Sequence, residues 1–277
     1  MPRNFISRCH PRRQRGFSLI ELTIAVLIAL FLLGGLVTLV MGTRRNTSTQ
    51  SGLEQLQDNE RIAMTLITNM VQKAGYFPYP ITQQLSMFSS ETLSGVTLAL
   101  SQVVGGTYSG SAPGDTFAVR FLTPAPDTTA SVINCAGQSN SAGVANLWYT
   151  NLFQVANVGG TYWLQCLARS DTNGAPSGTV YTLNLVPNVT NMSVLYGVGT
   201  NAGAALNDFS VVQYLNAAQV TAAGAWQNVT AVKVTLTFLL PQPGATGGQM
   251  MSASAPNSTT TFTRVIPIMS RGGFDVT

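Results

Sequence analysis

The sequence predicts an α+β fold: a long N-terminal helix, half membrane-spanning and half amphipathic, packed on a mostly antiparallel β domain. Three observations predict it. Residues 17–41 form an apolar run with a single charge. Between residues 53 and 74, apolar side chains recur at steps of three and four, which is typical of an amphipathic helix. From about residue 90, apolar and polar side chains alternate between turn residues, which is typical of strands.

A basic segment precedes the apolar run. The 277 residues carry a formal net charge of +4, and only 9% of them are charged, against roughly 25% in a typical soluble domain. Five of the 14 Lys and Arg residues precede Gly16: Arg3, Arg8, Arg12, Arg13 and Arg15. Without residues 1–16, nine basic side chains face ten acidic ones, a balance of −1. We therefore interpret residues 1–16 as a basic leader and expect no nucleic-acid partner.

The apolar run is long enough to span a membrane. As a helix, residues 17–41 would extend about 37 Å at 1.5 Å per residue. The preceding arginines favour a cytoplasmic N-terminus. A secretory signal peptide fits poorly, because its cleavage site follows the apolar region, whereas here Gly16 ends the basic region before it. Residues 17–42 are therefore predicted to be a transmembrane helix.

An amphipathic helical segment, residues 43–75, is predicted next. One face of this helix carries an apolar stripe, which is interrupted at Glu60 and widened by Ile62 and Leu66. The side chains that follow the steps of three and four are Leu53, Leu56, Ala63, Ile67, Met70 and Ala74. Gly75 suits the left-handed position after a helix, and the prolines at 78 and 80 stop its continuation. Weak helix formers in residues 34–52, including four glycines, permit local unwinding. We expect the stripe to pack against the β domain.

Residues 76–277 are predicted to form that β-rich domain. Gly159-Gly160 reads as a hairpin turn, and Pro187 predicts a strand that breaks and restarts in a new direction. A polar loop at 241–261 is interpreted as a solvated connection rather than a contact surface. The candidate strands are Gly95–Leu100, Thr116–Leu122, Val144–Thr150, Leu152–Val155, Tyr162–Ala168, Thr179–Val186, Met192–Tyr196, Phe209–Leu215, Val229–Leu240 and Thr260–Ile268.

The junction between leader and helix resembles a known processing site. Residues 15–22 read RGFSLIEL, which is similar to the leader motif of type IV prepilins. The resemblance implies that the prepilin peptidase cleaves between Gly16 and Phe17, and that the new N-terminus at Phe17 is methylated. The alternative is an uncleaved signal-anchor with a coincidental Gly-Phe junction.

Glu21 is the one charge within the apolar run. A carboxylate inside a membrane helix costs about 2.5 to 3.5 kcal/mol, so it normally needs a partner. Cleavage would create one, the ammonium of Phe17, either in the same helix or in a neighbouring subunit. The resemblance implies the intersubunit pairing, which helps to set the axial register of a filament. The alternative is a solitary acid that protonates and has no role.

Further blocks along the chain narrow the resemblance to a PilW-type minor pilin. These are residues 57–61 (QDNER), 73–77 (KAGYF), 114–121 (GDTFAVRF), 134–137 (NCAG), 194–198 (VLYGV) and 226–234 (WQNVTAVKV). One difference is that the 197–208 turn, acid-rich in many relatives, holds only Asp208 here. Ca²⁺ takes 6 to 8 oxygen ligands, usually with several carboxylates. We therefore expect no metal site there.

Cys135 and Cys166 would remain after the leader is removed. If the β domain lies in an oxidising periplasm, they are expected to form a structural disulfide. A disulfide between them would close a loop of roughly 30 residues, which stabilises the fold by about 3 to 4 kcal/mol in the chain-entropy model. A redox role is disfavoured because the pair lacks Cys-x-x-Cys spacing.

The residue types and motifs that remain after the leader is removed argue against an enzyme. His10, the only histidine, lies in the leader, which excludes Ser-His-Asp and Cys-His catalysis and histidine-ligated metals in the mature chain. Asp115 and Arg120 are interpreted as strand-end surface or ion-pair residues. No phosphate-binding loop is present. We expect no catalytic residue, no metal and no cofactor.

The sequence therefore predicts a minor pilin of the type IV pilus, stored in the inner membrane with a periplasmic C-terminal domain and later carried on the surface pilus. It would help to prime assembly at or near the tip, in support of twitching and adhesion. Its expected partners are the prepilin peptidase and other minor pilins, with the major pilin and a tip adhesin as further candidates. The closest alternative is a minor pseudopilin of a type II secretion system. A more remote one, an adhesin or DNA-uptake pilin, would need a cationic or aromatic surface, and only five Lys and Arg residues follow residue 73.

Overall fold

One helix dominates the N-terminal part of the chain. The computed structural model describes residues 16–78, 88–129, 131–172, 178–199, 210–242, 249–251 and 258–271. Helix α1 spans Leu19–Gln72 without a break, so residues 34–52 show no unwinding. In that stretch Thr43, Thr47 and Thr49 each donate a hydroxyl hydrogen bond to the carbonyl four residues earlier, at 3.0 Å. These bonds satisfy hydroxyls that would otherwise compete with the helical backbone. Gly75 follows the helix with φ +73°, as predicted for its end.

The C-terminal half of α1 buries one face. The predicted stripe is confirmed at Leu56, Ala63, Ile67, Met70 and Ala74, which are all buried. Ile62 is 47% exposed, because at 100° per residue it lies about 120° round the helix from Leu56. Leu53 is also exposed. Met64 and Val71 widen the buried face instead, on the side opposite Ile62.

The β domain contains a small hairpin and two larger sheets, all with antiparallel strand pairs. The hairpin pairs β1 (Glu91–Leu93) with β2 (Val96–Leu98). A five-stranded sheet has the order β3-β4-β5-β6-β7. Its strands are β3 (Val104–Thr107), β4 (Thr116–Leu122), β5 (Trp148–Val158), β6 (Thr161–Asp171) and β7 (Val180–Pro187).

The second large sheet has four strands, in the order β11-β10-β8-β9. They are β8 (Val189–Val198), β9 (Gln213–Leu215), β10 (Val229–Leu239) and β11 (Thr259–Pro267), with helix α2 (Ala217–Ala222) between β9 and β10. Asn216 and Gln219 form a capping box that starts α2. The two sheets meet where residue 114 bridges to Met192 of β8.

Most predicted strands are confirmed, and β4 has the predicted bounds. The two strands predicted on either side of Asn151 are a single strand, β5. Asn151 is fully buried, and its side-chain oxygen accepts the Cys135 amide at 2.7 Å. That partner allows a polar residue to lie inside a buried strand. The strand predicted from residue 209 is shorter and begins at Gln213.

Two predicted turns are confirmed. Gly159 and Gly160, with φ +61° and +86°, join β5 to β6, and two successive positive φ values are typical of a tight hairpin turn. At Pro187 the chain leaves the five-stranded sheet, and after Asn188 it enters the four-stranded one.

The core occupies the space between α1 and the two large sheets. The other face of the five-stranded sheet is covered by the β1–β2 hairpin. There, Leu93, Val96 and Leu98 pack against apolar residues of the sheet, namely Ala118, Leu152 and Leu167. The central strands β4, β5 and β6 are therefore buried on both faces, whereas most of the edge strand β7 is exposed.

Candidate functional site

The N-terminal half of α1 has no packing partner in the described part of the chain. Every residue from 16 to 47 is exposed, although most of this stretch is apolar. Within the described residues, α1 is the one helix long and apolar enough to cross a membrane. Its 54 residues extend about 81 Å at 1.5 Å per residue. Leaving so large an apolar surface in water is unfavourable, so this half of α1 is suited to a bilayer or to other helices.

Gly16 and Phe17 lie just before the first helical turn. The helix begins at Leu19, and Ser18 has an extended backbone with φ −68° and ψ 142°. Gly16 has no heavy atom within 4 Å of where a Cβ would stand, and Phe17 is 85% exposed. The Gly16–Phe17 bond therefore lies in an accessible segment outside the helix, as a peptidase substrate must. The preceding residues of the leader, 1–15, lie outside the described residues.

Glu21 lies in the first turn of α1, and its backbone amide donates to the Ser18 carbonyl at 3.0 Å. A carboxylate at this end of a helix interacts favourably with the helix dipole. In the described part of the chain, no cation lies within ion-pair distance of Glu21. Its side chain is exposed on the apolar half of α1 and is available to a group supplied from elsewhere.

The C-terminal half of α1 is joined to both large sheets. Gly52 of α1 packs closely against Pro241, which follows β10. A Cβ atom added to Gly52 would lie only 2.6 Å from the Pro241 side chain. The Ser270 hydroxyl, after β11, donates to the Ala74 carbonyl at 2.6 Å. On the five-stranded sheet, the Gly75 amide donates to the Arg120 carbonyl at 2.9 Å. These contacts attach the C-terminal half of α1, and the turn that follows it, to the β domain.

Cys135 and Cys166 form a disulfide in the structure, with their Cα atoms 6.2 Å apart. Cys166 lies in β6, and Cys135 lies in the long connection between β4 and β5. The predicted pairing is therefore present, and it anchors this connection to the five-stranded sheet.

A buried group of charges lies between the β1–β2 hairpin and the five-stranded sheet, and sequence reasoning missed most of it. Glu91 of β1 pairs with Arg120, with a closest N–O separation of 3.6 Å, and with Arg169, which also pairs with Asp171 at 2.7 Å. Thr150 stands between the two arginines in the strand register and donates its hydroxyl to Glu91. We call Glu91, Arg120, Arg169 and Asp171 the buried charge cluster. One signal was available, since an arginine inside the apolar strand FAVRFL requires a buried partner.

The surroundings of the two arginines shift their pKa values in opposite directions. Burial lowers the pKa of Arg120 to about 10, against the opposing effect of Glu91. For Arg169, burial alone would lower the pKa, but the hydrogen bond to Asp171 and the charge of Glu91 outweigh it and raise the pKa. Both arginines remain cations at neutral pH. The ion-pair interpretation of Arg120 is confirmed, whereas its placement on the surface was wrong, because its side chain is fully buried.

Asp115 is also buried rather than exposed. One carboxylate oxygen accepts the Ser109 amide at 2.9 Å, and the other accepts the Val194 amide at 2.8 Å. Asp115 thus connects the loop before β4 to β8 of the other sheet. It has a structural role rather than the surface role that was predicted.

No group of three or more His, Cys, Asp and Glu side chains that could hold a metal ion occurs in the described residues. Most of the 197–208 turn, including Asp208, lies outside the described residues.

Comparison with known families agrees with this arrangement. A family model described as type IV pilus-assembly protein W matches residues 153–264, from β5 to β11. A model of the prokaryotic N-terminal methylation motif matches residues 11–37, which include Gly16, Phe17 and Glu21. No curated protein matches the chain. The chain therefore carries a region similar to type IV pilus-assembly protein W, and before it a segment that matches the prokaryotic N-terminal methylation motif.

Proposed function

We propose that this chain is a minor pilin of the type IV pilus, which helps to prime pilus assembly and takes its place in a complex of minor pilins at or near the pilus tip. One observation carries the proposal: residues 16–47 are exposed throughout, while the other half of α1 is joined to both large sheets. A subunit built in this way can exchange a membrane for a bundle of helices without any change in its β domain.

Processing would make the subunit competent for assembly. In the proposed sequence, the prepilin peptidase cleaves the bond between Gly16 and Phe17, and the new amine at Phe17 is methylated. The accessible segment before Leu19 supports this order of events. The leader departs with five of the basic residues, leaving a nearly neutral subunit that can pack closely with others.

Glu21 would then pair with the ammonium of Phe17 in a neighbouring subunit. An α-amino group has a pKa of about 7.7 to 8.0 and is mostly charged at neutral pH. Because an unpaired carboxylate in a bilayer costs about 2.5 to 3.5 kcal/mol, a subunit in register with its neighbour is favoured over one that is displaced. Glu21 has no ion-pair partner among the described residues, which is consistent with a partner from another chain.

Before assembly, the N-terminus would lie in the cytoplasm and the β domain in the periplasm. The arginines of the leader favour that orientation, and a disulfide between Cys135 and Cys166 suits an oxidising compartment. The β domain would contact other minor pilins, and through them the major pilin or a tip adhesin.

The proposal is tested by deleting the gene in its host and complementing it with the wild-type chain. We expect loss of surface pili and of twitching, with secretion of exoproteins unchanged. Normal pili together with a secretion defect would contradict the proposal and favour a pseudopilin of a type II secretion system. Immunogold labelling of sheared pili would test the position, since label spread evenly along the shaft would contradict placement at the tip.

A further inference from the structure

Two adjacent arginines follow the apolar half of α1. Arg44 and Arg45 come three and four residues after Met41, the last residue of the apolar run, and both are exposed. They are the only Lys or Arg residues between positions 17 and 60 of the sequence. At 1.5 Å per residue they lie about 4.5 and 6 Å beyond Met41 along the helix axis.

The described part of the β domain leaves these two arginines uncovered. Every residue of α1 up to position 47 is exposed, and Gly52, against Pro241, is the first buried one. If the apolar run occupies the hydrocarbon core of a bilayer, the arginines therefore lie between that core and the β domain. A headgroup layer adds about 5 to 7 Å on each side of a core of about 30 Å, which matches their distance from Met41. The two arginines are thus placed at the level of the lipid phosphates.

The direction of helical side chains brings both guanidinium groups toward the bilayer. In an α-helix the Cα–Cβ bonds tilt toward the N-terminus, and for Arg44 and Arg45 this is the side of the apolar run. Long basic side chains near the end of a membrane helix extend to the interface and keep their charge among the headgroups. Consecutive residues point about 100° apart, so the two arginines face different lipids.

No acidic side chain in the described part of the chain neutralises this pair. Neither arginine belongs to an ion pair among the described residues. The nearest acids along α1 are Glu54, about 13.5 Å beyond Arg45, and Glu21, about 34.5 Å before Arg44. Both lie too far along the axis to form an ion pair. The anion that a bilayer supplies at this level is the lipid phosphate.

In the proposed orientation, the pair lies on the side of the membrane where basic residues are less frequent. Lys and Arg accumulate on the cytoplasmic side of membrane helices, where the leader carries five arginines before Gly16. Once the leader is removed, Arg44 and Arg45 are the two basic side chains that flank the apolar run. An arginine is well matched to a phosphate, because its planar guanidinium donates two parallel hydrogen bonds.

We propose that Arg44 and Arg45 each bind the phosphate of an anionic lipid in the leaflet that faces the β domain. The proposal rests on the membrane span of residues 17–41 that is part of the proposed function. Each guanidinium donates to the phosphate oxygens of one lipid. The net negative charge of a headgroup such as phosphatidylglycerol favours it over a zwitterionic one. The two lipids contact the subunit at the point where α1 leaves the bilayer.

The test is native mass spectrometry of the mature chain, residues 17–277, in nanodiscs with equal amounts of phosphatidylglycerol and phosphatidylcholine. An engineered protease site before Phe17 releases this chain, so that the arginines of the leader are absent. We expect two phosphatidylglycerol molecules to be retained in preference to phosphatidylcholine. Arg44→Gln and Arg45→Gln should each weaken this binding about fivefold, and the double variant about 25-fold, which is the effect expected of one and of two basic residues near an anionic surface.

Arg61→Gln is the matched control, because Arg61 is another exposed arginine of α1 and lies about 24 Å beyond Arg45. It should retain the binding of the wild type. The variant with both Arg44→Lys and Arg45→Lys should keep most of the binding, since both charges remain. Unchanged circular dichroism of all variants excludes misfolding.

Equal retention of the two lipids by the wild type would overturn the proposal and leave the assembly role untouched. Equal losses in Arg61→Gln and in the double Gln variant would do the same. A second arm adds inorganic phosphate to nanodiscs of phosphatidylcholine alone. Phosphate adducts that disappear in the double Gln variant would show an anion site that does not need a lipid, and would also overturn the proposal. A chain that does not enter nanodiscs would refute the membrane span itself, and this proposal with it.

Discussion

The Asp115 carboxylate accepts the backbone amide of Val194 at 2.8 Å, across the boundary between the two large sheets. The same side chain holds the Ser109 amide with its other oxygen, and the Asp115 amide donates to the Met192 carbonyl at 2.7 Å. A single buried acid therefore aligns the loop before β4 with β8.

Asp115→Ala should lower the free energy of unfolding by about 2 to 4 kcal/mol, because two backbone amides lose their acceptor and one of them, on Val194, is buried. The measurement is denaturant unfolding of the mature protein in detergent, followed by tryptophan fluorescence. Asp58→Ala is the control. Asp58 belongs to an exposed ion pair with Arg61, and such pairs contribute about 0 to 1 kcal/mol. Equal effects of the two substitutions would refute the role of Asp115.

Glu91→Gln should destabilise the protein by about 3 to 5 kcal/mol, because Arg120 and Arg169 would share a buried site with one fewer negative charge. The same unfolding measurement applies, with Glu54→Gln on the exposed face of α1 as the control. Glu91→Gln should also increase hydrogen exchange in residues 91–98, since Glu91 attaches the β1–β2 hairpin to the sheet. Unchanged exchange there would show that the apolar contacts of the hairpin are sufficient.

Protonation of the Asp127 carboxylate should make the protein less stable in acid. The Val132 amide, at 2.8 Å, and then the Ser131 amide and hydroxyl, both at 2.9 Å, lower the pKa of Asp127 by stabilising its charged form. The folded pKa lies below the unfolded one, so the stabilisation is present above the unfolded pKa of about 3.9 and disappears as pH falls through the folded value. The unfolding temperature should therefore fall less between pH 6 and pH 2 in Asp127→Ala than in the wild type. Parallel curves for the two proteins would contradict this assignment.

Gly16→Val should block removal of the leader, because a branched side chain would be placed next to the bond that the peptidase is proposed to cut. Intact-mass spectrometry of membrane fractions should find a precursor that retains residues 1–16. Gly34→Ala, on the open side of α1, should be processed normally. A mature mass for Gly16→Val would refute the proposed cleavage site.

Glu21→Ala should leave membrane insertion intact, since it makes the helix more apolar, but it should impair incorporation into pili. Fractionation and immunoblotting of sheared pili measure both steps. Glu54→Ala, which removes an acid from the part of α1 beyond the apolar half, should be incorporated as in the wild type. Wild-type incorporation of Glu21→Ala would count against the intersubunit pairing.

The elements that the sequence predicted well are those with a strong local pattern. The strand Thr116–Leu122, the Gly159-Gly160 turn, the break at Pro187 and the end of α1 at Gly75 each depend on neighbouring residues. Prediction failed where a distant partner decides the outcome. Asn151 divides the predicted strand in two, but in the structure its side-chain oxygen accepts the amide of Cys135, 16 residues earlier, and β5 continues through it.

The sequence by itself determined the N-terminal part of this protein: a basic segment, a Gly16-Phe17 junction within a prepilin-type motif, and an apolar helix with one acid at Glu21. These features depend on composition and on spacing within one helix, which are local properties. Only the tertiary structure decided where the remaining charges lie. Glu91 and Arg169 are 78 residues apart in the chain, and Asp115 and Val194 are 79 apart. The strand order brings these residues together. A buried charge requires a partner, and no local sequence pattern identifies which distant residue that partner is.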